Sequence, residues 1–253
     1  MTKVELGWLA GLLDAEGCFF ARQNDNCNTT MGIIKLTMTE IEPMRKAATI
    51  FWQIIGKKPK IHAKKKIYTI VIGKKNAICR VVLAIAPYLI GKKKEAAVLL
   101  RAITYNDPDD VALLRRLKRQ PEPSRTWPKW LAEGQETGRE WDVGWFGWLA
   151  GFLDGDGSIV TSPPTVRVSG SNRWNIQAVK SICQKLATNH RMPRIRKRTF
   201  KNIKWRPEYS WQIRHRKMIE RIAAVTFRQL TTKKNKMLEA VFAPSHPKVQ
   251  SKA

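Results

Sequence analysis

The chain has 253 residues, with 47 Lys and Arg against 20 Asp and Glu, so its formal charge is +27. An apolar fraction of 43% and ten Trp exclude a disordered chain. The longest apolar stretch, Ile78 to Ile90, is broken by Arg80 and Pro87 and falls short of the ~20 residues a bilayer span needs. The length suits one large domain or two ordinary ones. A sequence pI near 10.4 points to a polyanionic partner, of which nucleic acid is the commonest. The first apolar run carries Glu5, Asp14 and Glu16, unlike a signal peptide, so an intracellular protein is expected. Cys18, Cys27, Cys79 and Cys183 are scattered, without the spacing of a zinc site or a disulfide framework.

The elements follow one another in an order that repeats. A helix through residues 6–16 leads to strands at Cys18–Gln23 and Met31–Met38 and a helix at Met44–Ile55. Strands at Lys58–Ala63 and Ile67–Ile72, a helix near Asn76–Leu89 and a helix from Lys93 complete the first half. The second half offers a helix before Gly157, strands Ser158–Thr161 and Thr165–Ser169, and a helix Asn172–Asn189. Strands Arg194–Phe200 and Tyr209–Arg214 and helices Lys217–Phe227 and Lys234–Phe242 follow. The expected domains are residues 1–105 and 143–243, joined by a linker at 106–142 and followed by a tail at 244–253. The linker opens with a turn at Asn106–Asp110 and a short basic helix at Val111–Arg119. It continues as a Pro-containing loop in which Trp127 and Trp130 suggest packing.

Residues 6–20 read LGWLAGLLDAEGCFF and residues 146–160 read FGWLAGFLDGDGSIV, identical at eight of fifteen positions. On a helix, Gly7 with Gly11, and Gly147 with Gly151, share one face. Gly in a helix costs about 1 kcal/mol against Ala, so a repeated pair needs a reason. Near-contact crossing of the two helices supplies one. Each helix is expected to end at Gly17 or Gly157 in a left-handed conformation. Glu16 and Asp156 lie just before those glycines, at the negative end of the helix dipole, and crossing the helices adds like-charge repulsion. A divalent cation between the carboxylates resolves both penalties. The carbonyls of Ala15 and Gly155 add hard oxygen ligands, which suits Mg2+. Asp14 and Asp154, two positions earlier, are expected to be structural or capping partners.

Leu9–Gly17 and Leu149–Gly157 resemble the two signature helices of LAGLIDADG homing endonucleases in their single-chain, two-repeat form. The resemblance implies an α+β fold, a tandem pseudo-twofold repeat of αββαββα units. Its antiparallel sheets would form a DNA-binding saddle. It also implies a monomeric, metal-dependent enzyme that hydrolyses both strands of a long DNA site. Mg2+ is the expected cofactor, with Mn2+ a substitute and Ca2+ binding without supporting cleavage. The family's metal-binding acid carries over to Glu16 and Asp156, where Glu16 departs from the usual Asp. Its basic residue near each scissile phosphate carries over to Lys92 and Lys233, as catalytic groups. A polar residue after the second strand often organises solvent in the family; Glu40 stands there in the first half and Gly170 in the second.

The strands alternate as a sheet with one face on helices and the other on DNA requires. Lys58, Lys60, His62 and Lys64 share a face opposite Pro59, Ile61 and Ala63. Lys35 and Thr37 alternate with Ile34, Leu36 and Met38, and Arg167 and Ser169 with Val166 and Val168. Arg194, Arg196 and Arg198 project together. Arg22, Gln23, Asn24, Asn26 and Asn28 near the first hairpin, and Arg214 in the second half, are further base- or phosphate-contacting candidates. The second hairpin, with Pro163-Pro164 at its turn, is short and is expected to read fewer bases. Double-stranded DNA is the expected partner, with intron RNA a second one. The rival is a non-cleaving LAGLIDADG RNA maturase, disfavoured because both acidic positions remain acidic. A regulator would be expected to carry an added helix-turn-helix domain. An intein is disfavoured by the Met1-Thr2 start and the lack of a terminal His-Asn.

Overall fold

The computed structural model describes residues 1–24, 29–119, 143–187, 192–199 and 207–242. Helix α1 (Lys3–Glu16) starts in a capping box: the Glu5 amide donates to the Thr2 hydroxyl at 3.2 Å, and the Thr2 amide donates to the Glu5 carboxylate at 2.6 Å. Strands β1 (Gly17–Asn24) and β2 (Thr29–Met38) lead to α2 (Ile41–Ile55). Strands β3 (Ile61–Lys64) and β4 (Ile67–Ile72) are followed by α3 (Lys75–Ile85), α4 (Lys93–Tyr105) and α5 (Pro108–Arg119). The second half runs α6 (Gly144–Asp156), β5 (Gly157–Thr161), β6 (Pro164–Gly170), α7 (Arg173–Leu186), β7 (Arg196–Arg198), β8 (Glu208–Ile213), α8 (Arg216–Thr226) and α9 (Lys234–Phe242).

Each half builds one antiparallel four-stranded sheet, in the orders β1-β2-β4-β3 and β5-β6-β8-β7. Ladder partners fix how the halves correspond. Leu36 faces Gly17 as Val168 faces Gly157, and Thr37 faces Thr69 as Ser169 faces Ser210. By that register Lys35 matches Arg167, Ile67 matches Glu208, and Glu40 matches Asn172. Glu40 and Asn172 are also the N-caps of α2 and α7. The pairing of Glu40 with Gly170 is therefore corrected: Gly170 matches Met38. The second hairpin is shorter, so the sequence offset between the halves drops from 140 at the first helices to 132 in β6, and returns to 141 in β8, where Ser210 matches Thr69.

Several ends differ from the sequence pattern. Gly17 and Gly157 are extended, with φ of −77° and −80°, not left-handed. Their lack of a side chain serves a tight exit from the helix, because a Cβ would press on the carbonyl oxygens of Leu13 and Leu153. Gly56, closing α2, is the glycine that takes φ 76° and returns its amide to Trp52. Helix α2 begins at Ile41, earlier than expected, since Pro43 is tolerated in a first turn. Helix α3 stops at Ile85, just before Pro87. Helix α5, in the segment expected to be a linker, packs on the first half. Val111, Leu114 and Leu117 are buried, Arg101 forms an ion pair with Asp110, and the Lys118 ammonium donates to Cys18 Sγ at 3.0 Å. Trp127, Trp130, Cys27, Asn26, Asn28, Phe200 and the tail from 244 lie outside the described residues.

Inward positions of both sheets pack on the helices, with Phe19, Ile34, Leu36, Val168 and Trp211 essentially inaccessible. Trp8 and Trp148, each 0% exposed, occupy the seam where α1 meets α6. Among the described residues no helix is long and apolar enough to cross a membrane.

Candidate functional site

Helices α1 and α6 cross with their backbones in contact. A Cβ on Gly7 would collide with the carbonyl oxygen of Gly144, and one on Gly11 with that of Trp148. Gly147 and Gly151 meet the Val4 and Trp8 carbonyls in the same way. Each helix also sends an indole across the seam. Trp8 Nε1 donates to Asp154 at 3.0 Å and Trp148 Nε1 donates to Asp14 at 2.9 Å. Burial pushes the proton affinity of both carboxyls up, while these donors pull it back down.

Asp14 and Asp154 each grip the segment that precedes a later helix. Asp14 accepts the Ile90 and Lys92 amides, both at 2.8 Å, and Asp154 accepts the Thr231 amide at 3.0 Å. That grip brings one lysine back to the end of each signature helix. Lys92 Nζ donates to the carbonyls of Leu13, Asp14 and Ala15 at 2.8, 2.7 and 3.3 Å. Lys233 Nζ does the same for Leu153, Asp154 and Gly155, the last two at 2.9 and 3.0 Å. An ammonium there complements the negative helix end. Burial pulls both lysines below the usual amine range, opposed first by Asp14 for Lys92 and by Asp154 for Lys233. The Ala15 and Gly155 carbonyls, expected as metal ligands, thus already accept a lysine hydrogen bond and keep one lone pair each.

Glu16 and Asp156 sit where the two helix ends touch. A Cβ on Gly155 would strike the Ala15 side chain and come within 3.1 Å of Glu16 Cγ. Asp156 is pushed up to about 6, first by burial and second by the Glu16 charge, against the pull of Lys92 and Lys233. A carboxylate with surplus proton affinity crowded by a second carboxylate fits a hard divalent cation, whose remaining ligands water can supply. Among the described residues no three His, Cys, Asp or Glu side chains group to hold a metal, so a cation here would depend on this pair and the helix-end carbonyls.

The surroundings of the two acids differ. A cleft of ≈ 260 Å³ contains Glu16, Glu40, Ile67, Gly155 and Lys233. On the Asp156 side, a Cβ on Gly170 would lie 3.4 Å from Asp156 Oδ2. Asn172, matching Glu40, is tied up: its Oδ1 accepts from the Trp174 amide at 2.9 Å and its Nδ2 donates to the Gly91 carbonyl at 3.3 Å. Glu40 makes no cap hydrogen bond and its charge acts on Lys233. Its place in the cleft follows from its position one residue before α2, a signal the sequence carries.

The sheets' outward faces hold most of the basic strand residues singled out above. Arg22, Lys35, His62, Lys64, Arg167, Arg196 and Arg198 are exposed, and Thr37 is half-buried. Lys60, Arg194 and Arg214 are exposed too but lie just beyond the ends of β3, β7 and β8, which are shorter than the sequence pattern implies. Gln23 is corrected. It pairs with Thr30 on the face of Phe19 and Ala21, toward the helices, because strand alternation separates it from Arg22. Asn24 pairs with Thr29 at the end of β1, and its side chain lies outside the described residues. Sequence reading passed over Ser158, Thr69, Ser210, Gln212 and Glu208. The ladders put them on the same outward faces.

Residues 146–232 match the family model of a LAGLIDADG-like domain. No curated protein matches the sequence. Among solved structures, meganuclease I-SmaMI bound to uncleavable DNA is 15% identical with a TM-score of 0.61. The match covers 94% of this chain and 89% of that one. LAGLIDADG meganuclease I-CpaMI bound to uncleaved DNA is 14% identical with a TM-score of 0.61, over 93% of this chain and 90% of that one. LAGLIDADG meganuclease I-AabMI, also bound to uncleaved DNA, is 13% identical with a TM-score of 0.58, over 92% and 88%. At these identities the likeness is one of fold.

Proposed function

We propose, from the match of residues 146–232 to a LAGLIDADG-like domain and the two-repeat fold shared with LAGLIDADG meganucleases, that the chain is a site-specific DNA endonuclease. It would bind a long, asymmetric duplex across its two sheets and hydrolyse both strands with a divalent metal, Mg2+ by preference. The observation that carries this reading is the meeting of Glu16 and Asp156 at touching helix ends, with a half-buried lysine at each end. A structural role alone leaves that crowding of carboxylates unexplained.

Glu16 and Asp156 would hold the metal. Bound there, a divalent cation supplies an activated water and charge neutralisation on phosphate oxygens. Lys92 and Lys233 place fixed positive charge beside the reacting phosphates, pre-oriented by the carbonyls they already contact. Arg22, Lys35, Lys60, His62 and Lys64 face one half of the duplex. Arg167, Arg194, Arg196, Arg198 and Arg214 face the other. Because the two faces differ in sequence, no symmetry imposes a palindromic target.

The test is a cleavage selection on a randomised duplex-DNA library in Mg2+ and in Ca2+, with Asp156→Asn alongside. One recovered asymmetric site, cut on both strands in Mg2+ alone and not by the variant, supports the reading. Tight binding without cut ends in either metal would overturn it and favour a non-cleaving RNA maturase.

A further inference from the structure

Among the described strand residues of both sheets, Glu208 is the one acid. It opens β8 on the outward face, directly across the ladder from Arg198, with Arg196 facing Ser210 one repeat further along. A carboxylate on a face that meets a polyanion repels it. Glu208 therefore costs binding affinity, and its presence there calls for another explanation.

The neighbouring geometry offers one. Arg167, exposed on β6, holds its guanidinium 3.8 Å from Glu208 Oε1, with side-chain exposures of 49% and 28%. The ladder places Arg167 opposite Gln212, so the arginine leans along the sheet to reach Glu208. A guanidinium is planar and reads a guanine edge only when its fork is turned correctly. The first half has Lys35 and Ile67 at the matching ladder positions. An ammonium and an apolar side chain occupy the two positions that hold a guanidinium–carboxylate pair in the second half. Ile67 lines the cleft around Glu16. Glu208, its match, accordingly lies toward the Asp156 end of its sheet.

We propose that Glu208 is a specificity-determining positioning residue, which aims Arg167 at a base edge near the second centre and penalises sequences that leave the carboxylate without a donor. The inference rests on the reading of these faces as a DNA-binding surface. It makes the second half of the target more selective next to the cut than the first, where Lys35 supplies charge with little orientation. A wrong base leaves Glu208 facing an acceptor or a phosphate, which discriminates by repulsion as well as by attraction.

The test is selection of a randomised duplex library by the full chain in Ca2+, comparing wild type, Glu208→Gln and Arg167→Lys. Gln keeps the shape of Glu208 at a partly exposed position, and thermal unfolding checks that each variant folds. Both variants are expected to lose about tenfold in discrimination at the same one or two base pairs. Glu208→Gln is further expected to bind random duplex more tightly. Unchanged base preference with uniformly tighter binding by Glu208→Gln would overturn the inference while leaving DNA recognition intact. Loss of preference at different positions in the two variants would overturn it as well. A wild-type chain that recovers no preferred sequence would overturn the DNA-binding reading and this inference together.

Discussion

The centre around Glu16 and the centre around Asp156 are built on one backbone plan and furnished differently. Scaffold groups are duplicated: Trp8 and Trp148, Asp14 and Asp154, Lys92 and Lys233, and the crossing glycines. Side chains that would face a ligand are not. Glu16 answers to Asp156, Glu40 to Asn172, Ile67 to Glu208 and Lys35 to Arg167. Even beside the lysines the halves part, with half-buried Glu95 in the first turn of α4 and exposed Lys236 at the matching place in α9. The difference separates what the duplicated unit needs to hold itself together from what each half does. Contacts within the seam tolerate little change, because every partner is buried against its twin, whereas the outward positions answer only to what they bind.

Removing one acid at a time tests the comparison most severely. Glu16→Gln and Asp156→Asn are each expected to lower strand cutting on the order of 10²–10³-fold, measured on duplexes with differently labelled strands. If the extra methylene of Glu16 sets the centres apart, Glu16→Asp brings the two strand rates together. Equal rates in the wild type would break the comparison at this level.

The seam is the next test. Gly151→Ala drives a methyl into the Trp8 carbonyl and is expected to cost roughly 1–3 kcal/mol or more by overpacking, read as a lowered thermal midpoint. Gly11→Ala, its twin against Trp148, should cost a similar amount. Gly73→Ala, with nothing within 4 Å of the added Cβ, should change stability by less than about 0.5 kcal/mol. A seam variant as mild as that control would show the helices free to separate.

The smallest expected effect concerns Glu95. Burial pushes its carboxyl up to about 7, against the pull of Lys92. Its folded value lies above the free value of 4.5, so the folded chain binds this proton more tightly. Its contribution to stability is then complete below about 4.5 and lost as pH rises through about 7. Discounted for solvent screening at a half-buried site, Glu95→Gln should flatten that decline by about 1 kcal/mol, measured as denaturant midpoints at pH 5 and pH 8. An unchanged slope would mean that Glu95 is well solvated in the folded chain.

Much of the plan is legible in local pattern. Two nearly identical segments, each with two glycines four apart, announce a pair of closely crossing helices, and alternation separates outward Lys35 from inward Ile34 and Leu36. Other features escape a linear reading for physical reasons. Gln23 sits among polar neighbours, yet strand alternation turns it inward. Glu40 pairs with Gly170 only when each is counted from the apparent end of its second strand; the ladder partners reveal Asn172 instead. Helix α5 reads as part of a linker, although its apolar side is buried against the first half.

By itself, then, the sequence determined the duplication, the order of elements, the glycine faces and the placing of an acid at the end of each signature helix. All of these follow from residue spacing within one element. The tertiary structure alone decided that Lys92 and Lys233 return across more than seventy residues to cap the helix ends, and that Glu208 stands beside Arg167. Those facts depend on burial and on the charges that folding brings together, quantities no stretch of sequence possesses until the chain has closed on itself.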